Sequence, residues 1–513
     1  MSGDPYATLI AHAQEVAVLQ SCASVLSWDQ QTYMPKGGAA FRGEQLALLA
    51  KLTHQKQTDP RFGERLAAVE SSDLVRDPDS IEAANVRELR RTYDRATKLP
   101  ERLVEELARA TTAGQEAWVE ARTKNDFATF RPHLETILKL KREEATALAS
   151  LPSAPLPQGR GEYYYDALLD EYEPGARAAD LKVLFANLTR GLVPLVMAIE
   201  DSPTKPDPSV LHREFDVERQ RWFAESAAAA IGFDFHTGRL DKTAHPFCSA
   251  FGPGDCRLTT RYNPRFFNEA FFGVLHEAGH GMYEQGLPSQ HFGTPCGSYC
   301  SLGIHESQSR LWENQVGRSR PFWEHFYPRL QQAFPGTLDD STLDTFYQAI
   351  NTVKPSLIRV EADEVTYNLH IAVRFELELA LLSGDLMVSD LPSAWNERYE
   401  AVLGLRPPTD RDGCLQDIHW SFGGIGYFPT YTLGNLYAAQ FRCRIGSEVP
   451  SVDRAMAAGD FVGIKQWLRD RIHQHGRRWP ANELCRKATH VPLSVEPFIS
   501  YLKEKFGAIS HMC

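Results

Sequence analysis

Paired cysteine spacing is missing from this 513-residue chain: its nine cysteines are scattered from Cys22 to Cys513 with no CxxC among them. An odd, scattered set excludes a small disulfide scaffold and reads as reduced thiols in a cytoplasmic protein. Long apolar runs are missing too. No window approaches ~18 uninterrupted apolar residues, so no transmembrane helix is expected. The opening residues, MSGDPYATLIAHAQEVAVLQ, lack a basic leader, and Asp4, His12 and Glu15 interrupt their apolar positions, so no cleaved signal peptide is expected. Basic charge is in deficit. Sixty-six acidic residues against 55 Lys and Arg leave a formal charge of −11, so a phosphate backbone would meet net repulsion. Nucleic acid and membrane are therefore not expected as partners. What remains is 43% hydrophobic, 24% charged and 11% aromatic, the composition of an ordinary globular protein.

The chain reads as mostly α. Val86, Leu89, Tyr93 and Ala96 recur at three- and four-residue steps, and Leu103, Leu107 and Ala110 continue the pattern after Pro100. Pro35, Pro60 and Pro100 break the first 150 residues before a coiled coil can accumulate heptads. Proline-rich stretches at 151–161 and 201–209 read as loops, and neither marks a change of composition. The simplest organisation is one helical unit over residues 1–513. Strand-like text is scarce; the best case is RLTTRY, Arg257 to Tyr262.

The most informative residues are Leu275 to His280, LHEAGH. On a helix His276 and His280, at i and i+4, share a face and can hold one ion. Glu277 then sits beside the open coordination position, where it can take a proton from an attacking water. The bland alternative is two helix histidines bonded to neighbouring carboxylates. A catalytic metal needs a third protein ligand, and the segment Ile304 to Asn314 carries both His305 and Glu306 on a helix-like run. Adjacent helical residues point about 100° apart, so one of the two is expected to reach the metal. Glu306 is taken as that ligand and His305 as its rival. Glu284 and Glu313 read as solvated or salt-bridged, and Cys296 and Cys300 as buried small hydrophobes. Gly279 and Gly281 read as leaving room for a substrate.

HEAGH followed by HESQSR resembles the zinc site of the thermostable (Taq-type) metallocarboxypeptidases. Further segments match that family's pattern in order: HPF at 245–247, DCRLT at 255–259, IRVEAD at 358–363 and GCLQDIHW at 413–420. WDQQTYMP at 28–35 and YDALLDEYEPG at 165–175 are also similar. The resemblance implies a helical zinc-peptidase fold with a deep groove. A small antiparallel sheet would lie near the active site, and helices within 1–150 would form part of the groove wall or lid. It implies a homodimer, one Zn2+ per chain (Co2+ substituting), and release of single amino acids from peptides with a free C-terminus.

It also implies roles for other residues. Related helical zinc peptidases use a His and a Tyr from a late segment to stabilise the oxyanion, here His419 and Tyr427, with Tyr431 as the alternative phenol. An enzyme restricted to C-termini must grip a carboxylate, for which Arg359 and Arg257 are the candidates. Either could instead serve a structural ion pair; Arg359 and Asp363 are read as i, i+4 neighbours on one helix. His245 and Gln416 are expected to shape the same end of the groove. RLTTRY is expected as an edge strand receiving the peptide backbone. Asp363 is the candidate for orienting a zinc histidine. Rival readings are an endo-oligopeptidase on the same scaffold and a non-catalytic metal-binding scaffold; the intact Glu277 argues against the second.

Overall fold

The structure is a computed structural model that describes residues 4–149 and 160–511. The loop expected at 151–161 thus falls almost wholly outside the described residues. Among the described residues there are twenty α-helices and one three-stranded sheet. The chain packs into two compact units, each built from three separate segments. The first unit draws on 1–97, 206–350 and 437–493, and the second on 98–205, 351–436 and 494–513. The crossing at Lys205–Pro206 falls inside the proline-rich stretch 201–209; no other crossing carries a compositional mark.

In the first unit, helix α1 (Pro5–Thr32) starts with Asp4 accepting from the Tyr6 N–H at 3.0 Å and Pro5 at its first position. Helix α2 (Ala39–Gln57) packs on α1 without burying any residue completely. The sheet comprises β1 (Gly238–Lys242), β2 (Cys248–Gly252) and β3 (Asp255–Thr260), in the order β1-β3-β2. β3 pairs parallel with β1 (Gly238 opposite Cys256) and antiparallel with β2 (Cys248 opposite Leu258), with a bulge at Ala250/Gly252. Two expectations are corrected here. The sheet is mixed rather than antiparallel. The RLTTRY segment contributes the central strand, whose N–H and C=O groups are already paired on both sides, so it offers no free edge. Cys256 and Leu258 of β3 turn inward onto helix α4 (Phe267–Gly286). Helix α5 (Leu302–Arg310) follows and runs directly into a π-helical turn, Leu311–Val316.

In the second unit, helix α3 (Ala178–Asp201) buries Leu181, Phe185, Leu188, Leu192 and Leu195 at helical spacing. Helix α6 (Tyr367–Ser383) is buried on nearly every side, and its Phe375 stacks on Phe185 at 4.8 Å. Helix α7 (Glu496–Ile509) packs on α3, where a Cβ at Gly191 would come within 2.8 Å of Ile499. Helices α1 and α3 are long and apolar enough, by length and composition alone, to cross a membrane. Most of the apolar stripe of α3 is nevertheless committed to the core of its unit.

Candidate metal centre

The N-terminal half of α4 is anchored by aromatic packing. Phe267 and Phe271 stack at 5.1 Å, and Phe271 meets Trp323 at 5.2 Å and Phe223 at 5.4 Å. This fixes the helix so that its second half presents His276 and His280 on one face, their rings 4.8 Å apart. Gly279 then allows a close crossing: a Cβ there would lie 2.6 Å from the Gln308 carbonyl oxygen of α5. Gly281 similarly faces the Phe233 ring, 2.6 Å from a hypothetical Cβ. The space at both glycines is taken by protein and not held open for a substrate, which corrects the sequence reading.

The close crossing delivers Glu306. Its Oε2 lies 3.7 Å from His276 Nε2 and 3.5 Å from His280 Nε2, and one ligand atom from each residue falls within 4.8 Å of the others. Ligands bonded at about 2.1 Å to a tetrahedral ion would be about 3.4 Å apart, so this donor set fits a small divalent cation. Tautomers agree. His276 Nδ1 is 2.9 Å from Glu313 Oε2, so that nitrogen donates and Nε2 keeps its lone pair. His280 Nδ1 meets Nδ1 of His305, whose Nε2 donates to Glu284 Oε1 at 2.8 Å. His280 therefore donates through Nδ1 and likewise frees Nε2. His305 stands behind His280, while Glu306 stands beside both imidazoles.

The electrostatics are sharply divided. Burial, helped by Glu306, lifts Glu277 to about 7 despite the pull of His276. Burial and the neighbouring His305 depress His280 to about 3. Burial also opposes charge on His276, but Glu306 and Glu313 outweigh it and raise that imidazole. Burial opposes ionisation of Glu306 as well; Arg310, whose Nε donates to Oε1 at 2.7 Å, and the two imidazoles hold it well below the usual carboxylate range. Glu313 falls to about 2 for the same reasons, against its own burial, with Arg310 and His276 as the main partners.

Arg257, on β3, faces outward with Asp255 and donates to it through Nε (2.8 Å) and Nη2 (2.7 Å), while stacking over Trp28 at 4.4 Å. His245 is exposed in the turn between β1 and β2. Cys296 and Cys300 are buried, as expected, and donate to the carbonyls of Ile81 and Trp479.

The second unit gathers the other sequence candidates. Asp417 accepts from Arg359 (Nη2, 2.7 Å) and from Arg374 (2.6 Å), so two buried guanidinium groups share one carboxylate. Asp417 is accordingly held far below its ordinary range, although burial opposes it. Gln416 Oε1 accepts from the Arg359 backbone N–H (2.9 Å) and from Arg374 (2.7 Å). His419 is driven by burial to about 4, and its Nε2 lies 3.2 Å from the Tyr431 hydroxyl. Tyr427 packs 5.2 Å from the His419 ring and edge-on to Tyr172 at 5.1 Å. Arg359 and Asp363 are not partners on a helix. Arg359 sits in a three-residue 3-10 turn, and Asp363 caps the start of α6, accepting from the N–H groups of Val365 (2.9 Å), Thr366 (3.0 Å) and Lys354 (3.0 Å). The orienting carboxylate at His276 is Glu313, not Asp363. Glu313 falls at i+7 from Glu306, a same-face spacing that was available as a signal.

A family model for carboxypeptidase Taq (M32) metallopeptidase matches residues 8–506. The chain belongs to that family. It is a metallocarboxypeptidase, and so a peptide hydrolase that works with a metal ion. Thermostable carboxypeptidase 1 of Thermus thermophilus is 51% identical over 504 residues, covering 98% of each chain. Carboxypeptidase 1 of Bacillus subtilis is 39% identical over 501 residues, covering 97% of this chain and 96% of that one. Among solved structures, an M32 carboxypeptidase from Deinococcus radiodurans superposes with a TM-score of 0.94 at 40% identity, covering 99% of this chain and all of that one.

Proposed function

We propose that this metallocarboxypeptidase removes single residues from peptides with a free C-terminal carboxylate, using one zinc ion held by His276 Nε2, His280 Nε2 and Glu306 Oε2. The observation that carries the reading is a buried carboxyl, Glu277, on the same helix as two imidazoles whose Nε2 atoms and a third carboxylate converge. A bound zinc ion supplies the Lewis acidity that makes water nucleophilic near neutral pH, and Co2+ can supply the same. Glu277, held near neutrality, accepts the proton of the attacking water and passes it to the leaving amine. Glu313 and the His305–Glu284 pair keep the two imidazoles turned with Nε2 inward.

His419 and Tyr427 are assigned to the oxyanion, Tyr431 being the alternative phenol; a neutral imidazole and a phenol are suitable donors. For the terminal carboxylate, Arg359 is favoured over Arg257. Arg257 is neutralised one-to-one by Asp255, whereas Arg359 and Arg374 share a single Asp417 and leave one positive charge in excess. His245 and Gln416 are assigned to shaping that end of the site, Gln416 by holding the Arg359 backbone. A cytoplasmic location and a homodimeric state complete the proposal.

The test is cleavage of one defined peptide with free and with amidated C-terminus, by wild type and by Arg359→Ala. A charge-assisted pair contributes about 1.5–3 kcal/mol, so the free peptide should lose at least roughly tenfold in kcat/KM while the amide, already poor, loses less. Equal wild-type cleavage of both peptides would overturn the C-terminal reading. A strong preference with no coupling to Arg359 would move the anchor elsewhere.

A further inference from the structure

We propose a second, thiol-based cation site in the first unit, formed by Cys248 and Cys256 and taking a soft divalent ion of the zinc or cadmium kind. Cys248 lies on β2 opposite Leu258, and Cys256 lies on β3 opposite Ala250, so the two cysteines are diagonal neighbours on one face of the sheet. Their sulfurs are 3.7 Å apart. Two thiolates bonded at about 2.3 Å to a tetrahedral zinc have their sulfurs about 3.8 Å apart, so the pair already has the bite such an ion requires. A disulfide, by contrast, would need those sulfurs to close to about 2.05 Å, with the strands displaced to allow it.

Both cysteines line a cavity of about 970 Å³, whose wall also includes Met282, Glu284, His305 and His473, so an ion and its remaining water ligands have a route and room. The charged groups acting on Cys248 are acidic. Contact with Cys256, burial and the carboxylates of Glu277 and Glu284 all hold its thiol well above the ordinary range. That field slows thiolate attack on a peroxide or a disulfide, yet it attracts a cation. Binding breaks two S–H bonds, sends two protons to solvent and forms two sulfur–metal bonds, with no change of oxidation state. Cys256 Sγ lies 3.8 Å from the Gly281 carbonyl, so the bound ion would rest against α4 one residue beyond His280. The site is chemically distinct from His276, His280 and Glu306, which contain no sulfur.

The experiment titrates Cd2+ into the metal-loaded protein carrying Cys22→Ser, Cys443→Ser and Cys513→Ser, and follows the ultraviolet thiolate-to-cadmium charge-transfer band. Displacement of the resident metal from its nitrogen and oxygen ligands produces no such band, so failure of the zinc-site reading and failure of this one remain distinguishable. One equivalent should bind with the band, and Cys248→Ala should weaken that binding at least tenfold; Cys256→Ala should do the same. If Cys256→Ala fails to fold, the half-buried Cys248 carries the test alone. No band in the parent protein, or an undiminished band in Cys248→Ala, would overturn the site. Two thiols lost to an intrachain disulfide under oxidised glutathione, with no cadmium band after reduction, would replace it with a redox pair.

Discussion

At the scale of single residues, Glu277 is a carboxyl whose burial holds it at about 7, beside imidazoles that are turned by hydrogen bonds made elsewhere. Glu277→Gln keeps the shape but cannot accept a proton. kcat should fall by ~10² or more with metal content unchanged, as read by turnover and metal analysis on the same sample. Wild-type turnover would take Glu277 out of the mechanism. Glu313 acts differently, through the 2.9 Å bond that fixes His276. Glu313→Ala leaves that Nδ1–H unpartnered and should weaken metal affinity by about 10–100-fold in a chelator competition; an unchanged affinity would reduce Glu313 to a salt-bridge partner of Arg310. Legibility followed locality. His276, Glu277 and His280 share one turn and a half of helix, so their spacing alone exposed them. Glu313 was read as solvated or salt-bridged, and it does pair with Arg310, but its hold on His276 went unread because that depends on where a second helix crosses. Asp417 sits inside the GCLQDIHW segment, but no local pattern reveals that two arginines, 43 and 58 residues away, converge on it.

At the scale of elements, α6 shows how one buried acid ties segments together. Its Glu378 accepts from the Tyr165 hydroxyl (2.8 Å), Trp420 Nε1 (2.9 Å) and the Gly426 N–H (3.1 Å), yet burial still raises it to about 7. Between its ordinary value and 7 the folded chain keeps a proton that the unfolded chain releases. Stability from this group is therefore lost as pH rises through that window, by on the order of 3 kcal/mol in total. Glu378→Gln cannot ionise, and urea unfolding at pH 5 and pH 7.5 should show a smaller pH dependence than wild type. An identical dependence would assign it to other groups. Helices were legible from their stripes, and the strand at RLTTRY was found within two residues. Its central place was not, because the β1–β3 pairing joins residues 18 apart across an intervening strand that leaves no periodic trace.

At the scale of the whole molecule, the helical class was legible throughout, whereas the weaving of two units was not: it depends on which distant segments pack, and four of the five crossings fall in ordinary text. The homodimer implied by the resemblance has a candidate surface on α2. Phe41, Leu48 and Leu52 are 70%, 58% and 38% exposed. At i, i+7 and i+11 they fall within about 20° of one line along the helix. An apolar stripe of this kind fits a self-complementary twofold contact. Light scattering should give twice the chain mass for wild type and the single mass for Phe41→Glu, Leu48→Glu. A monomeric wild type would discard the dimer, and a dimeric double variant would move its interface.

The segment that backs the metal helices arrives late. His473 lies 2.9 Å from Gln308, whose carbonyl crosses α4 at Gly279, yet the two residues are 165 positions apart. At the ~5–20 residues per second of synthesis, that is a wait of about 8–33 s on the ribosome. During it HEAGH and HESQSR have both been made but lack the piece that closes behind them. Until then the two histidines are bait without a trap: able to meet a passing ion, with a wall still missing behind the helix that aims Glu306 at it. Stable loading is thus expected only once the segment carrying His473 has been made, and not as soon as HEAGH and HESQSR are.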